Sequence, residues 1–141
     1  MSLNIDLTMS YVSPSGRYTL NYPNRWEVES DEDCVTFSKI RNGVGALQIS
    51  AYETDIPRSA EDSLREHFED EKVVAEISAQ IADDSSQTAT GYYEKEGLYS
   101  KVWFVTNDNC LLFITYNCDS KSKTIETEDV NSIVESVRLN T

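Results

Sequence analysis

Residues Leu98 to Cys118 constrain the fold more than any other stretch. They read Leu98-Tyr-Ser-Lys-Val-Trp-Phe-Val-Thr-Asn-Asp-Asn-Cys-Leu-Leu-Phe-Ile-Thr-Tyr-Asn-Cys118. Two runs of β-branched and aromatic residues flank the polar break Asn107-Asp-Asn109, which is the pattern of a β-hairpin. Near the turn both strands are apolar on both faces, whereas a strand with one wet face alternates. The hairpin is therefore expected at the centre of a sheet, covered on each side. With a three-residue loop at 107–109, Leu98, Val102, Phe104, Leu112, Ile114 and Tyr116 share one face, which reads as core. Tyr99, Trp103, Val105, Leu111 and Phe113 share the other, with Lys101, Thr115 and Asn117. This second face is aromatic but polar at one end, so it is either covered by a helix or open to a partner. Tyr99, Trp103 and Phe113 are the candidate binding residues. A two-residue loop would re-pair the faces.

The remaining chain alternates between strand and turn signals. Ser13-Pro-Ser-Gly16 is a turn, and Tyr18, Leu20 and Tyr22 then alternate on one face until Pro23-Asn24 breaks the strand. Short strands are expected at Trp26–Glu29, at Cys34–Ser38 with Val35 and Phe37 inward, and at Ala46–Tyr52 with Leu47, Ile49 and Ala51 inward. Ser30-Asp-Glu-Asp33 reads as a solvated acidic tip. Ser59 is placed to cap a helix whose stripe is Ala60, Leu64 and Phe68, with Glu61 and Asp62 in the favourable first turn. Beyond it come a strand at Ile77–Ala82 with Ile77, Ala79 and Ile81 inward, a turn at Asp83–Ser86, and a strand at Gln87–Lys95. A hairpin signal at Glu96-Gly97 then leads into the central hairpin. Val130, Ile133, Val134 and Val137 recur at helical spacing and predict a last helix over about 125–138.

At 141 residues the chain is long enough to bury a sizeable core without a disulfide or metal. The expected organisation is an N-terminal segment over 1–15 and a single α+β domain over 16–141. That domain is expected to hold one antiparallel β-sheet of about six to eight strands, with two main helices packed on it. The formal net charge is −13. It argues against nucleic acid as a partner and allows an acidic face that meets a basic protein. No run reaches transmembrane length, so no membrane insertion is expected. The start, Met1-Ser-Leu-Asn-Ile-Asp6, lacks the basic and apolar regions of a signal peptide, although a sequence beginning after a removed signal would look the same. Three cysteines, Cys34, Cys110 and Cys118, form no CxxC pair. Cys110 and Cys118 lie on one strand roughly 26 Å apart and cannot bridge each other. Free thiols and a cytoplasmic location are the expectation, with a bridge from Cys34 as the alternative.

Chemistry is hard to find. His67 is the single histidine, beside the apolar stripe of its helix, which excludes His-rich zinc patterns. Asn42-Gly-Val-Gly45 is a turn and not a phosphate loop, and no GxSxG is present. Carboxylates are too abundant for any pair to be diagnostic. The expectation is no catalytic residue, no metal and no cofactor.

Two stretches carry a family resemblance: Gly16-Arg-Tyr-Thr-Leu-Asn-Tyr-Pro-Asn-Arg-Trp26, a strand with alternating aromatics running into a Pro-x-x-Trp break, and the close Ile133-Val-Glu-Ser-Val-Arg-Leu139. Together they resemble the PsbP-like superfamily, which includes photosystem oxygen-evolving subunits, bacterial DcrB proteins and chaperones of type VI secretion effectors. The resemblance implies an antiparallel sheet with packed helices, and binding or assembly in place of catalysis. The leading expectation is a non-enzymatic, chaperone- or adaptor-like module that holds a protein partner. The alternatives are an acidic immunity or antitoxin protein, and a small-molecule binder or hydrolase with a pocket between sheet and helix.

Overall fold

A computed structural model describes residues 7–31, 34–72, 76–81 (backbone path only) and 86–140. Among the described residues ten strands and two α-helices follow one another as β1 (Thr8–Val12), β2 (Tyr18–Pro23), β3 (Trp26–Asp31), β4 (Cys34–Lys39), β5 (Gly45–Glu53), α1 (Ala60–Glu71), β6 (Glu76–Ile81), β7 (Gln87–Lys95), β8 (Leu98–Thr106), β9 (Cys110–Asp119), α2 (Thr127–Glu135) and β10 (Arg138–Leu139). The expectations for Met1–Asp6, for Glu32 and Asp33 of the acidic tip, for the inward side chains of Ile77, Ala79 and Ile81, and for the turn at 83–85 lie outside the described residues.

The strands form two sheets, where the sequence suggested one. The larger has seven strands in the order β3-β4-β5-β9-β8-β7-β6, and the smaller has three in the order β1-β2-β10. All described pairs are antiparallel. The second sheet arises because β2 takes its partners from the two ends of the chain. Thr8–Val12 pairs with residues 19–23, and Arg138 and Leu139 pair with Thr19 and Tyr18. Residues 8–12, assigned by sequence to a separate segment, are thus built into the fold. The last helix is shorter than its apolar spacing predicts. It ends at Glu135, the Val137 N–H still bonds back to the Val134 carbonyl, and Arg138 already belongs to β10. Val137 keeps the helical apolar spacing although it lies past the helix end, because it packs into the same core.

The central hairpin is where expected, with β8 and β9 interior to the large sheet, but its loop is shorter than predicted. Asn107 N–H donates to the Cys110 carbonyl at 3.0 Å, leaving Asp108 and Asn109 as the loop. The Asn107 side-chain oxygen accepts from the N–H groups of Asn109 (3.2 Å) and Cys110 (2.9 Å), which closes the tight turn. Phe104 consequently pairs with Phe113, and Trp103 with Ile114. A shift of one residue in pairing swaps the facing sets. Trp103 and Val105 share a face with Leu112, Ile114 and Tyr116, whereas Val102 and Phe104 share the other with Leu111 and Phe113.

Each face has its own cover. α1 lays Ala60, Leu64 and Phe68 on Ala89, Val102 and Phe104. Its start is capped as the sequence predicts, with Asp62 N–H donating to Ser59 Oγ at 3.2 Å. The opposite face carries the larger core, in which Leu47, Ile49, Leu112 and Ile114 of the large sheet meet Tyr18 and Leu20 of the small sheet and Val130, Ile133 and Val134 of α2. No helix among the described residues is long and apolar enough to cross a membrane.

Candidate functional site

The candidate site lies where α2 meets β7 and β8. Its geometry begins with how α2 is held. Glu126, which precedes the helix, is 2% exposed, and its carboxylate accepts from the Tyr116 hydroxyl at 2.7 Å and the Val44 N–H at 3.2 Å. One turn on, Asp129 accepts from Arg25 Nε at 3.1 Å and from Arg25 Nη2, and from the Trp26 indole N–H at 3.0 Å. Burial alone would raise the Asp129 pKa. The hydrogen bonds from Arg25 and Trp26, with the charges of Arg25 and Lys39, outweigh it and hold the carboxyl below the ordinary carboxylate value. At the far end, Ser136 Oγ accepts from the Asn21 N–H at 2.8 Å. The Pro-x-x-Trp break of the sequence therefore has a local role, since it presents Arg25 and Trp26 to α2.

So fixed, α2 forms one wall of a groove of 290 Å³, whose floor is Trp103 and Val105 and whose opposite wall carries Thr88 and Thr90. Asn131, Val134 and Glu135 of α2, with Val137 and Arg138 just past its end, complete that side. Thr88 and Thr90 stand on β7, which continues the large sheet past α2, and Tyr92 further along that face is 43% exposed. Lys101 spans the rim: its ammonium lies 5.0 Å from the centre of the Trp103 ring and donates to Asn131 Oδ1 at 3.2 Å. Burial pushes the Lys101 pKa down, with Glu135 pulling the other way.

The three residues selected from sequence separate here. Trp103 is in the floor of the groove and only 5% exposed, so its face is largely covered by α2. Tyr99 lies on the same face, half-buried, 5.9 Å from the Tyr92 ring, with its hydroxyl pKa raised by burial. Phe113 is on the opposite face, stacked on Phe104 at 5.1 Å and covered by His67 at 5.2 Å. His67 is thereby part of the packing beneath α1, and burial lowers its pKa. Sequence reasoning missed Asn131 and Glu135, which reach the groove from a helix remote in the chain, and Arg138, which reaches it from β10. For Asn131 and Glu135 it had no signal beyond their place on the polar side of α2. Cys34, Cys110 and Cys118 are all free thiols, the last two buried. Among the described residues no group of three His, Cys, Asp or Glu side chains is placed to hold a metal ion.

Residues 7–141 match the family described as "Domain of unknown function (DUF3805)". The chain belongs to the DUF3805 family. No curated protein matches its sequence. Among solved structures, the DUF3805 chain is similar to the solution structure of cyanobacterial PsbP (CyanoP) from Synechocystis sp. PCC 6803, with 12% identity and a TM-score of 0.67 over 99% of this chain and 96% of that one. It is also similar to a crystal structure from Bacteroides thetaiotaomicron VPI-5482, with 16% identity and a TM-score of 0.66 over 94% of this chain and 48% of that one. The DUF3805 chain thus spans about half the length of the Bacteroides protein. At these identities the likeness is one of fold alone, and that fold is PsbP-like.

Proposed function

We propose that this protein is a non-enzymatic binding module that holds an extended segment of a protein partner in the groove between α2 and β7–β8. One observation carries the reading: an apolar floor of Trp103 and Val105 is rimmed by the groups Lys101, Asn131 and Glu135, with a neighbouring tyrosine pair, Tyr92 and Tyr99, on the same face. Buried aromatic anchors inside a polar rim are the usual anatomy of a protein-recognition site. An aliphatic or aromatic side chain of the partner would rest on the Trp103 floor, and its backbone would meet the polar rim. The test compares Thr90→Arg in the groove and Tyr99→Ala in the tyrosine pair beside it with Gln48→Arg, an exposed position on the opposite face. Partner affinity should fall by about tenfold or more for the first two and stay unchanged for the control. Groove variants that fold and still bind at wild-type affinity defeat the reading.

A second reading rests on α1. Its solvent side presents Asp62, Glu66, Glu69 and Asp70, against Arg65 as the sole cation of the helix. This face suits a basic partner, as an immunity or antitoxin protein would need. Its association rate would fall steeply with added salt, and a rate insensitive to ionic strength removes it.

A further inference from the structure

The small sheet leaves one edge open. β1 pairs with β2 on one side, and among the described residues no strand pairs with the other. The alternation of the ladder tells which backbone groups are left over. Asn24 N–H donates to the Leu7 carbonyl at 2.8 Å, and Ser13 N–H donates to the Tyr18 carbonyl at 3.1 Å. Asn21, opposite Ser10, sends its N–H to Ser136 Oγ instead. Met9 and Tyr11 therefore bond to β2, and Thr8, Ser10 and Val12 turn their N–H and C=O groups outward.

Natural sheets commonly guard such an edge with charge. β3, an edge of the large sheet, carries Glu27, Glu29 and Asp31, all exposed. β1 has no such guard: Leu7 to Gly16 contains no charged residue, in a chain of which 26% is charged. Leu7, Met9 and Val12 are also exposed, at 54%, 41% and 62%. The strand thus offers free main-chain groups and uncovered apolar side chains together. Two copies of a chain at −13 repel over most of their surface, and an uncharged edge is where they meet at least electrostatic cost.

We propose that β1 pairs antiparallel with β1 of a second copy about a two-fold axis at Ser10, joining the small sheets of two molecules into one continuous sheet. The strand is self-complementary in this register. Ser10 faces Ser10 of the second copy and Thr8 faces its Val12, so all three outward-turned residues are paired in about six main-chain hydrogen bonds. The β-branched pair of Thr8 and Val12 suits neighbouring strands. Five residues a side bury less than the roughly 1,000 Å² of a stable complex, so the association is reversible. It is separate from the groove at Trp103 and stands or falls independently of it.

Sedimentation velocity from low micromolar to near-millimolar concentration, with amide exchange at both ends of that range, tests the pairing. The chain should pass from monomer to dimer. The Thr8, Ser10 and Val12 amides should gain protection, while Met9 and Tyr11, already bonded to β2, change little. Added salt should tighten the dimer by screening the repulsion between two acidic chains. Ser10→Lys, at an exposed position, should weaken it by about threefold or more, because like charges then face each other across the axis even though the net negative charge falls. Ser10→Pro should weaken it by about tenfold, since it removes an N–H that β2 does not use. A monomer at every concentration, as when the edge takes a strand of a different protein, overturns the proposal. So does protection of the three amides that is independent of concentration, a dimer whose new protection falls elsewhere, a dimer loosened by salt, or undiminished association of Ser10→Lys.

Discussion

The Tyr116 hydroxyl donates to the Glu126 carboxylate at 2.7 Å with both residues 2% exposed. This contact joins the middle of the large sheet to the start of α2, and burial together with Glu126 drives the tyrosine pKa upward. The two side chains meet beside Gly45, where an added Cβ would lie 2.6 Å from both the Tyr116 hydroxyl and the Asn117 carbonyl oxygen. Tyr116→Phe leaves a buried carboxylate with the Val44 N–H in place of two donors. It should cost about 2–3 kcal/mol in chemical denaturation. Gly45→Ala should cost about 1–3 kcal/mol, because the backbone carbonyl cannot swing aside as a side chain could. A loss in the Gly45→Ala protein within a few tenths of a kcal/mol of zero would show that the strand shifts freely there.

Asp129 should impose a pH dependence of known sign. Its folded pKa is below the ordinary 3.8, so the stability it adds is complete above that value and is lost as pH falls through the folded pKa. Asp129→Asn should destabilise the protein by about 1–2 kcal/mol at neutral pH, a figure reduced for the part-exposed Arg25 partner. The gap between variant and wild type should close on acidification below pH 3.8. Parallel stability curves across that range would remove the ion pair from the account.

His67 acts in the same sense as Asp129 but over a higher pH window. Burial lowers its folded pKa from 6.5, with Glu71 and Asp70 opposing the shift. The neutral ring is favoured in the fold, so stability is full above 6.5 and declines as pH falls through the folded pKa. His67→Phe, set among Phe68, Phe104 and Phe113, should gain on the wild type as the pH is taken from 7.5 to 5. Thermal unfolding midpoints measured across that interval would reveal it, and a constant difference would count against a buried neutral ring.

The thiols should separate by exposure. Burial raises the pKa of both Cys110 and Cys118, whereas Cys34 is partly exposed at the start of β4. A disulfide exchange reagent should titrate one thiol rapidly in the native protein and all three in denaturant. Rapid reaction of a second native thiol would place Cys110 or Cys118 within reach of solvent.

Strand positions were legible because period-two alternation survives any tertiary arrangement, and β7, with its positive-φ turn at Glu96 and Gly97, falls where the sequence puts it. Face pairing was not. Whether Trp103 sits with Phe113 or with Ile114 turns on whether Asn107 lies inside the loop or closes it, and its side chain decides that through two short bonds no periodicity encodes. β1 escaped notice because Thr8–Val12 is largely exposed and lacks a clean apolar stripe. The helical reading of 136–138 failed because Val137 is buried for reasons of packing that a spacing rule assigns to a longer helix. At the candidate site, Tyr99 and Trp103 could be picked from their shared strand, but their neighbours Asn131 and Glu135 come from chain about thirty residues away and are joined only by the fold.

The clasping contacts of α2 are unevenly placed. Glu126, Asp129 and Ser136 tie the helix to the Gly45 end of β5, to Trp26 and to β2, whereas the Glu53 end is spanned by the exposed Arg17–Glu53 pair. Those ends are about 26 Å apart along β5. A sandwich latched at one edge breathes at the other, like a purse with its clasp on one side. Amide exchange should be faster at the Glu53 end of β5 than at its Gly45 end, where the contacts of α2 hold the two sheets together.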